Sequence, residues 1–325
     1  MPQDSYLFAV GRTWVLERRM LNSAKLARLR EADNIEALKL LTESGYGAGT
    51  VAVGDDVEPL IKSEMTQVRK TVWDMTPDAE ITSLFLLPND AHNLKALLKA
   101  RLLGVDASDL IIEGGAFEPK KLMWCVENKD YRDLPDAFSE AMNSIEKQIS
   151  VDPDPRVLSA TVDGAVFDYA AAVIKKKKNA FAHNYFCVQA DFLNIRSILR
   201  ARSLGWGADK LGAMLVTGGE IEKKKFLEAI DLPIDQLTKK LAIGKFSRAI
   251  AGSIEEYTLT GNTDGVEKRM DKELMKLVRE GKDDTFGLGP VVGYLLGREA
   301  EAKALRLIFA AKRTGRDVDL PELYM

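Results

Sequence analysis

Two stretches of the chain place a carboxylate, an amide and a guanidinium at one repeated spacing. The first runs from Asp90 to Gly104 and the second from Asp191 to Gly205. The polar side chains that recur are Asp90, Asn93 and Arg101 in the first stretch and Asp191, Asn194 and Arg202 in the second. On a helix this spacing puts the three groups along one face, where they could bind a polar or charged partner.

A structural role explains the same residues without a ligand. An aspartate early in a helix interacts favourably with the positive end of the helix dipole, and an arginine near the end interacts with the negative end. A terminal glycine suits the left-handed conformation in which many helices end. We therefore interpret the charged residues and the glycines Gly104 and Gly205 as structural. The alternative is that the polar faces of related modules line a shared axis.

The two stretches are copies of one another. Seven of their fifteen positions are identical, and four more exchange Leu for Ile or Lys for Arg. About one identity is expected by chance from average residue usage. The pairs Gly114-Gly115 and Gly218-Gly219 follow the two stretches, each with Glu and Lys at the same later positions, so the duplication extends beyond one helix. Each glycine pair predicts a turn followed by a capped helix.

A third and weaker copy runs from Glu301 to Gly315. It keeps four identities with the second copy, among them Arg306, but it has Ala304 at the position of the asparagine. Only ten residues follow this copy, which leaves no room for its second half. Residues 26–40 loosely repeat the missing pattern. This predicts that the two ends of the chain complete one module together.

Hydrophobic residues recur at helical spacing along most of the chain, and no stretch alternates as a strand would. We predict an all-α fold of three similar helical modules, with approximate bounds 1–104, 105–210 and 211–325. Near the start, residues 5–31 have the spacing of one or two amphipathic helices, with apolar positions at Leu7, Val10, Trp14, Leu21, Leu26 and Leu29. Pro88 is expected to end one helix, and one of the next two residues is expected to cap the helix that follows.

Residues suited to catalysis are few. The chain has two histidines, His92 and His183, and two cysteines, Cys125 and Cys187. Cys187 lies one helical turn after His183, where an imidazole could activate a thiol, but we interpret this pair as a coincidence of packing. The sequence has no HExxH, CxxC or clustered carboxylate motif. We therefore expect no metal site, no catalytic site and no disulfide.

Three other functions are weighed in the same way. The segment Gly49 to Gly54 matches the GxxxxG half of a phosphate-loop motif. Asp55 and Asp56 follow where Lys and Ser or Thr are required, so we expect no nucleotide cofactor. Lysines 175–178 could bind nucleic acid or anionic lipid. In a chain of net charge −3 we interpret them as a solvated helix end and expect no nucleic-acid partner. The apolar run 84–87 is far shorter than the ~20 residues of a membrane span, and we expect none.

Taken together, these motifs resemble the C-subunit family of the V-type (archaeal and vacuolar) ATPases, whose eukaryotic members are called d subunits. The resemblance covers essentially the whole chain. The segments that carry it are Tyr6 to Arg12, the two repeated stretches, the two glycine pairs with their Glu and Lys, and the closing helix Glu301 to Gly315. Because Ala304 replaces the asparagine, we do not expect three equivalent sites.

The resemblance implies a funnel of three similar helical domains around a pseudo-threefold axis. It implies that the wide end receives the tip of the central shaft of a rotary ATPase, and that the narrow end rests on the membrane proteolipid ring at the cytoplasmic face. The implied role is non-catalytic coupling of rotation, in a machine that transports protons or sodium ions. The alternative is a free-standing helical adaptor or scaffold.

Overall fold

The computed structural model describes residues 6–50, 54, 56–149, 154–315 and 320, and every regular element within these ranges is a helix. The predicted all-α fold class is therefore confirmed. The predicted funnel around a pseudo-threefold axis and the three module boundaries stay predictions.

Sixteen α-helices and three short 3-10 helices occupy the described residues. In chain order the α-helices are α1 (Leu7–Glu17), α2 (Ser23–Glu31), α3 (Asn34–Glu43), α4 (Glu58–Met75), α5 (Ala79–Ser83), α6 (Leu87–Leu103), α7 (Pro119–Asn128), α8 (Asp136–Ile149), α9 (Pro155–Lys177), α10 (Ala180–Ser203), α11 (Ala208–Gly212), α12 (Lys223–Ala229), α13 (Ile234–Leu241), α14 (Ser247–Thr260), α15 (Asp264–Glu280) and α16 (Gly289–Thr314). The 3-10 helices are Leu84–Leu86, Ser108–Leu110 and Gly281–Asp283.

The first of two compact units contains both ends of the chain, Met1–Thr82 and Met275–Met325. Its central helix is α16, which packs against α1, α2 and α4. Side chains of α16 are buried along most of its length, from Pro290 to Phe309. Helices from the beginning and the end of the chain therefore share one core. This is the contact that the predicted terminal module requires.

The second unit, Ser83–Leu274, is built around α9 and α10. The helix α9 packs against α6, α8 and α10. Aromatic rings join the elements here, with ring centroids 5.0 Å apart for Phe85 and Tyr185 and 6.0 Å apart for Phe167 and Phe186. Among the described residues, α9 is the one helix with the length and mean hydropathy (1.5) of a membrane span, and half of that window is buried. Its contacts with three helices are those of a core helix.

Two repeat helices begin earlier than predicted. The helix α6 starts at Leu87, so Pro88 lies in its first turn, where a missing N–H needs no partner. The predicted helix end at Pro88 and the cap just after it are therefore wrong. The helix α10 starts at Ala180, which puts Asp191 in mid-helix and out of reach of the helix N-terminus. The predicted dipole role of Asp191 is wrong for the same reason.

The glycines that end the three copies have the predicted left-handed conformation. Their φ angles are 67° at Gly104, 65° at Gly205 and 66° at Gly315. A Cβ added at any of them would meet no atom within 4 Å, so the requirement for glycine comes from the backbone angle and not from crowding.

Replacing Gly104 or Gly205 with valine is therefore expected to lower the free energy of unfolding by about 1–2 kcal/mol. A matched control is Gly164→Ala, because Gly164 lies inside α9 with open space around its Cα and no positive φ. That change should be neutral or slightly stabilising. Thermal unfolding measures all three variants, and unchanged melting of both valine variants would contradict the cap assignment.

Candidate functional site

The first residue of each of the two strong repeats is a buried carboxylate that binds backbone amides of a distant turn. Asp90 is 0% exposed and Asp191 is 1% exposed. Asp90 accepts from the N–H groups of Ala116 at 2.6 Å and Phe117 at 3.1 Å. Asp191 accepts from those of Glu220 at 3.2 Å and Ile221 at 3.0 Å. Each aspartate therefore ties its helix to the segment that follows a glycine pair.

This contact explains both glycines of each pair. The first glycine has a positive φ, 79° at Gly114 and 91° at Gly218. The second glycine has no room for a Cβ, which would overlap the aspartate Oδ1. The distance from this Cβ to the aspartate Cγ would be 2.7 Å for Gly115 and Asp90 and 3.1 Å for Gly219 and Asp191. The predicted turn and following helix are confirmed by α7 and α12. The predicted capping is wrong, because the residue before each helix makes no side-chain cap bond.

The asparagine of each strong repeat pairs with one backbone residue in both directions. Asn93 donates to the carbonyl of Ile112 at 2.9 Å and accepts from its N–H at 2.8 Å. Asn194 forms the same two bonds with Val216, at 3.0 and 2.8 Å. Ala304, at this position of the third copy, has no polar side chain for such a pair, so the third copy is not equivalent.

A cation at the twelfth position of each copy binds carbonyl oxygens near the end of a short helix. The acceptors are Val126 for Arg101, Ile230 and Leu232 (2.7 Å) for Arg202, and Arg30 (2.8 Å) and Ala32 for Lys312. Sequence reasoning missed Lys312, although its alignment with the two arginines was visible. That Arg101 and Arg202 face a shared axis stays a prediction.

A second cation, at the sixth position, pairs with a carboxylate on a neighbouring long helix in all three copies. The pairs are Lys95 with Asp163, Arg196 with Glu267, and Arg306 with Glu58, the last through two bonds of 2.6 and 3.0 Å. These pairs are partly or largely exposed. Such ion pairs contribute about 0–1 kcal/mol each, so they set the pairing of helices more than the stability.

In the third copy, Glu301 plays the role of the aspartates. It lies in the middle of α16, is 1% exposed, and accepts from the N–H of Leu21 at 2.6 Å. Leu21 belongs to the loop between α1 and α2. The third copy thus binds, through Glu301 and Lys312, the two ends of α2, which comes from the other end of the chain.

A buried charge network surrounds Glu301. Arg298 donates to Glu301 at 2.6 Å and to Glu64 of α4, whose other oxygen accepts from the N–H of Gly47 at 2.8 Å. Arg298 is 5% exposed, Glu64 is 7% exposed, and the guanidinium lies 5.7 Å from the ring centre of Tyr46. Sequence reasoning missed Glu64 and Arg298. The only available signal was a charge inside an otherwise apolar helix face.

Burial changes the titration of the repeat carboxylates. It raises the pKa of Asp90 to about 7, of Asp191 to about 6 and of Glu301 to about 7, because a desolvated carboxylate is costly to ionise. Hydrogen bonds from backbone N–H groups, and from Arg298 for Glu301, lower these pKa values and offset part of the increase. The three groups therefore serve as backbone anchors whose charge depends on pH near neutrality.

We expect these carboxylates to make the protein less stable as the pH rises from about 4 to about 7. In this window the folded chain keeps protons that the unfolded chain has released. This contribution to the free energy of unfolding is complete below about pH 4 and is lost as the pH rises through the pKa values of the folded chain. At about 1.4 kcal/mol for each pKa unit, each group contributes roughly 3–4 kcal/mol. Urea unfolding of wild type and Asp191→Asn at pH 4.5 and 7.5 measures this. An equal or steeper loss in the variant would contradict the assignment.

Of the residues considered for catalysis, His92 contacts a backbone carbonyl and Cys187 is partly buried. His92 lies 2.9 Å from the carbonyl oxygen of Leu110. Burial and the nearby Asp191 raise the pKa of the Cys187 thiol to about 11, the opposite of what a thiolate nucleophile needs. Among the described residues no group of three or more His, Cys, Asp or Glu side chains could hold a metal ion. Part of the glycine segment 49–54 lies outside the described residues.

One face of α1 exposes large apolar side chains. Phe8 is 73% exposed, Val15 61%, Leu7 52% and Trp14 48%. Of the six positions whose spacing predicted amphipathic helices, Val10, Leu21, Leu26 and Leu29 are buried. Leu7 and Trp14 belong to the exposed face. Exposed apolar patches of this kind mark surfaces that bind another protein.

Comparison with known proteins agrees with the sequence resemblance. A family model described as the ATP synthase (C/AC39) subunit matches residues 9–322. The chain is 23% identical to the C subunit of the A-type ATP synthase of Methanothermobacter thermautotrophicus, over 95% of this chain and 85% of that protein. It is 22% identical to the C subunit of the V-type ATP synthase of Thermus thermophilus, over 94% and 93%. It is 20% identical to the C subunit of the V-type sodium ATPase of Enterococcus hirae, over 91% and 90%.

Proposed function

Because the chain belongs to the ATP synthase (C/AC39) subunit family, it is a subunit of a rotary ATPase, and we propose that it couples rotation between the central shaft and the membrane proteolipid ring. The observation that carries the proposal is the family match over residues 9–322, nearly the whole chain. In this role the protein is a non-catalytic, peripheral component at the cytoplasmic face of the membrane. The transported ion is a proton or sodium.

A protein that couples rotation must be stiff, because a soft body would absorb torque instead of transmitting it. The repeats supply stiffness through short hydrogen bonds from side chains to distant backbone. Asp90, Asp191 and Glu301 each fix a loop or turn, and Arg101, Arg202 and Lys312 fix the end of a short helix. Bonds of this kind leave few alternative arrangements of the joined elements. They support the proposed mechanical role.

The same role also needs surfaces that bind other subunits. The exposed apolar face of α1, formed by Leu7, Phe8, Trp14 and Val15, supplies one such surface. We assign this face to contact with another subunit of the complex.

The proposal predicts that the full chain co-purifies with both a shaft subunit and the proteolipid ring of its own complex. Phe8→Asp/Val15→Asp should weaken at least one of these interactions by about tenfold or more, because it puts two charges into an apolar interface. The matched control is Ile35→Asp, which places a charge at a residue that is 77% exposed on α3.

Three outcomes are informative. Retention of both partners by wild type and loss in the α1 variant supports the coupling role and the assigned face. Retention of both partners by wild type and by the α1 variant supports the coupling role but shows that the α1 face is not the contact. Binding of wild type to neither partner contradicts the proposal and favours a free-standing helical adaptor.

A further inference from the structure

A cavity of about 500 Å³ lies in the second unit, between the C-terminal half of α9 and the N-terminal part of α10. Its walls are mainly apolar, with Phe167, Ala171 and Ile174 from α9 and Phe186 from α10. Phe167, Ile174 and Phe186 are otherwise buried in the unit. The volume falls within the range of roughly 300–1,000 Å³ typical of small-molecule pockets.

The same cavity is lined by basic side chains. Lys175, Lys178 and His183 contribute to its surface and are exposed to solvent. No hydrogen bond or ion pair of these three side chains occurs with any other described residue. The acid Asp168, also on α9, does not line the cavity, and its Oδ1 accepts a bond of 2.6 Å from the hydroxyl of Thr217.

The chain reversal between the two helices places the two lysines at the cavity. The helix α9 ends just before Lys178, which has a φ of 55°, and α10 begins at once with Asn179 as its cap, accepting from the N–H of Ala182 at 2.9 Å. Lysines 176 and 177, in the same run, have interactions elsewhere. Of the four lysines in the run, Lys175 and Lys178 line the cavity without a partner among the described residues, and Lys176 and Lys177 do not line it.

We propose that this cavity binds a long-chain fatty acid. The alkyl chain contacts Phe167, Ile174 and Phe186, and the carboxylate binds the ammonium groups of Lys175 and Lys178. A neutral apolar ligand would leave the two cations unmatched, and a small inorganic anion would leave the apolar walls unfilled. A single alkyl chain with an anionic head satisfies both. The proposal is independent of the assembly described above.

Titration of the purified full chain with dodecanoate, below its micelle concentration, tests this by calorimetry. We expect saturable one-to-one binding, and weaker binding by about five- to tenfold for dodecanol, which lacks the charge. Across octanoate, decanoate and dodecanoate, affinity should rise by about fourfold for each added CH₂ that enters the cavity.

The double variant Lys175→Gln/Lys178→Gln should reduce dodecanoate affinity about five- to tenfold and leave dodecanol binding unchanged. Both lysines are exposed, so the variant is expected to fold with an unchanged Tm. The matched control is Lys223→Gln/Lys224→Gln in the other lysine run, which does not line the cavity.

Filling the cavity with Ala171→Phe should abolish binding of both ligands. The proposal is overturned if wild type binds dodecanol as tightly as dodecanoate, if the Lys175/Lys178 variant binds dodecanoate unchanged, or if the chain binds anionic phospholipid vesicles but no monomeric fatty acid.

Discussion

Replacing Arg298 with methionine is expected to lower the free energy of unfolding by about 3–5 kcal/mol. Arg298 is the only cation in the described network that contacts both Glu64 and Glu301. All three side chains are at least nine-tenths buried. Methionine keeps the packing volume but leaves two carboxylates in a low-dielectric interior without their cation. Urea unfolding of the full chain, followed by circular dichroism in the far ultraviolet, measures the loss.

Two further variants separate the charge effect from a packing effect. Arg306→Met removes an arginine of the same helix whose pair with Glu58 is half exposed, and it should cost less than about 1 kcal/mol. The triple variant Glu64→Gln/Arg298→Met/Glu301→Gln should recover much of the loss, since glutamine oxygens can still accept from Gly47 and Leu21. A loss in Arg298→Met no larger than that in Arg306→Met would show that the network is not a stabilising element.

Replacing Gly219 with alanine is expected to lower the free energy of unfolding by about 2–4 kcal/mol. The new Cβ would overlap Oδ1 of Asp191 and lie 3.4 Å from its backbone nitrogen, so the carboxylate must move. Movement takes it off the N–H groups of Glu220 and Ile221, and an unsatisfied buried donor costs about 1–3 kcal/mol. The same change at Gly115, beside Asp90, should behave alike in the first copy.

A double-mutant cycle tests this cause. In an Asp191→Ala background, the loss of unfolding free energy caused by Gly219→Ala should be smaller than in wild type by at least about 1 kcal/mol, because the obstructing oxygen is gone. Gly212→Ala is the control, since its Cβ would have an ordinary contact of 3.7 Å with Leu227. Strictly additive losses at Gly219 and Asp191 would contradict a direct contact between them.

Helical spacing was sufficient to predict the fold class. Hydrophobic residues recur at helical spacing in the stretches that form α4, Glu58–Met75, and α14, Ser247–Thr260. The reason is that amphipathic periodicity is a local property of the chain. The left-handed glycines at Gly104, Gly205 and Gly315 were predictable on the same basis, because a helix end needs only the last turn and one residue of positive φ.

The roles of the polar repeat residues were not predictable in this way. Local reasoning assigned Asp90 and Asp191 to their own helices, whereas the structure shows them bonded to turns 26 to 30 residues later. The glycine pairs were correctly predicted as turns. The need for the second glycine was not predictable, because it arises from the close approach of an aspartate on another helix. Leu7 and Trp14 fit the spacing of an amphipathic helix, but the structure leaves both exposed and buries Ala9, Val10, Thr13 and Glu17 of α1 instead.

By itself, then, the sequence determined that this protein is all-helical, that it contains repeated copies of one helix, and that it resembles the family to which it belongs. These conclusions depend on periodicity and on matching residues, which any segment carries with it. Only the tertiary structure decided that each copy anchors a distant backbone segment through Asp90, Asp191 or Glu301, and that Arg298 joins two carboxylates inside the first unit. A buried charge needs partners from elsewhere in the chain, and spacing along a helix does not say which residues will supply them.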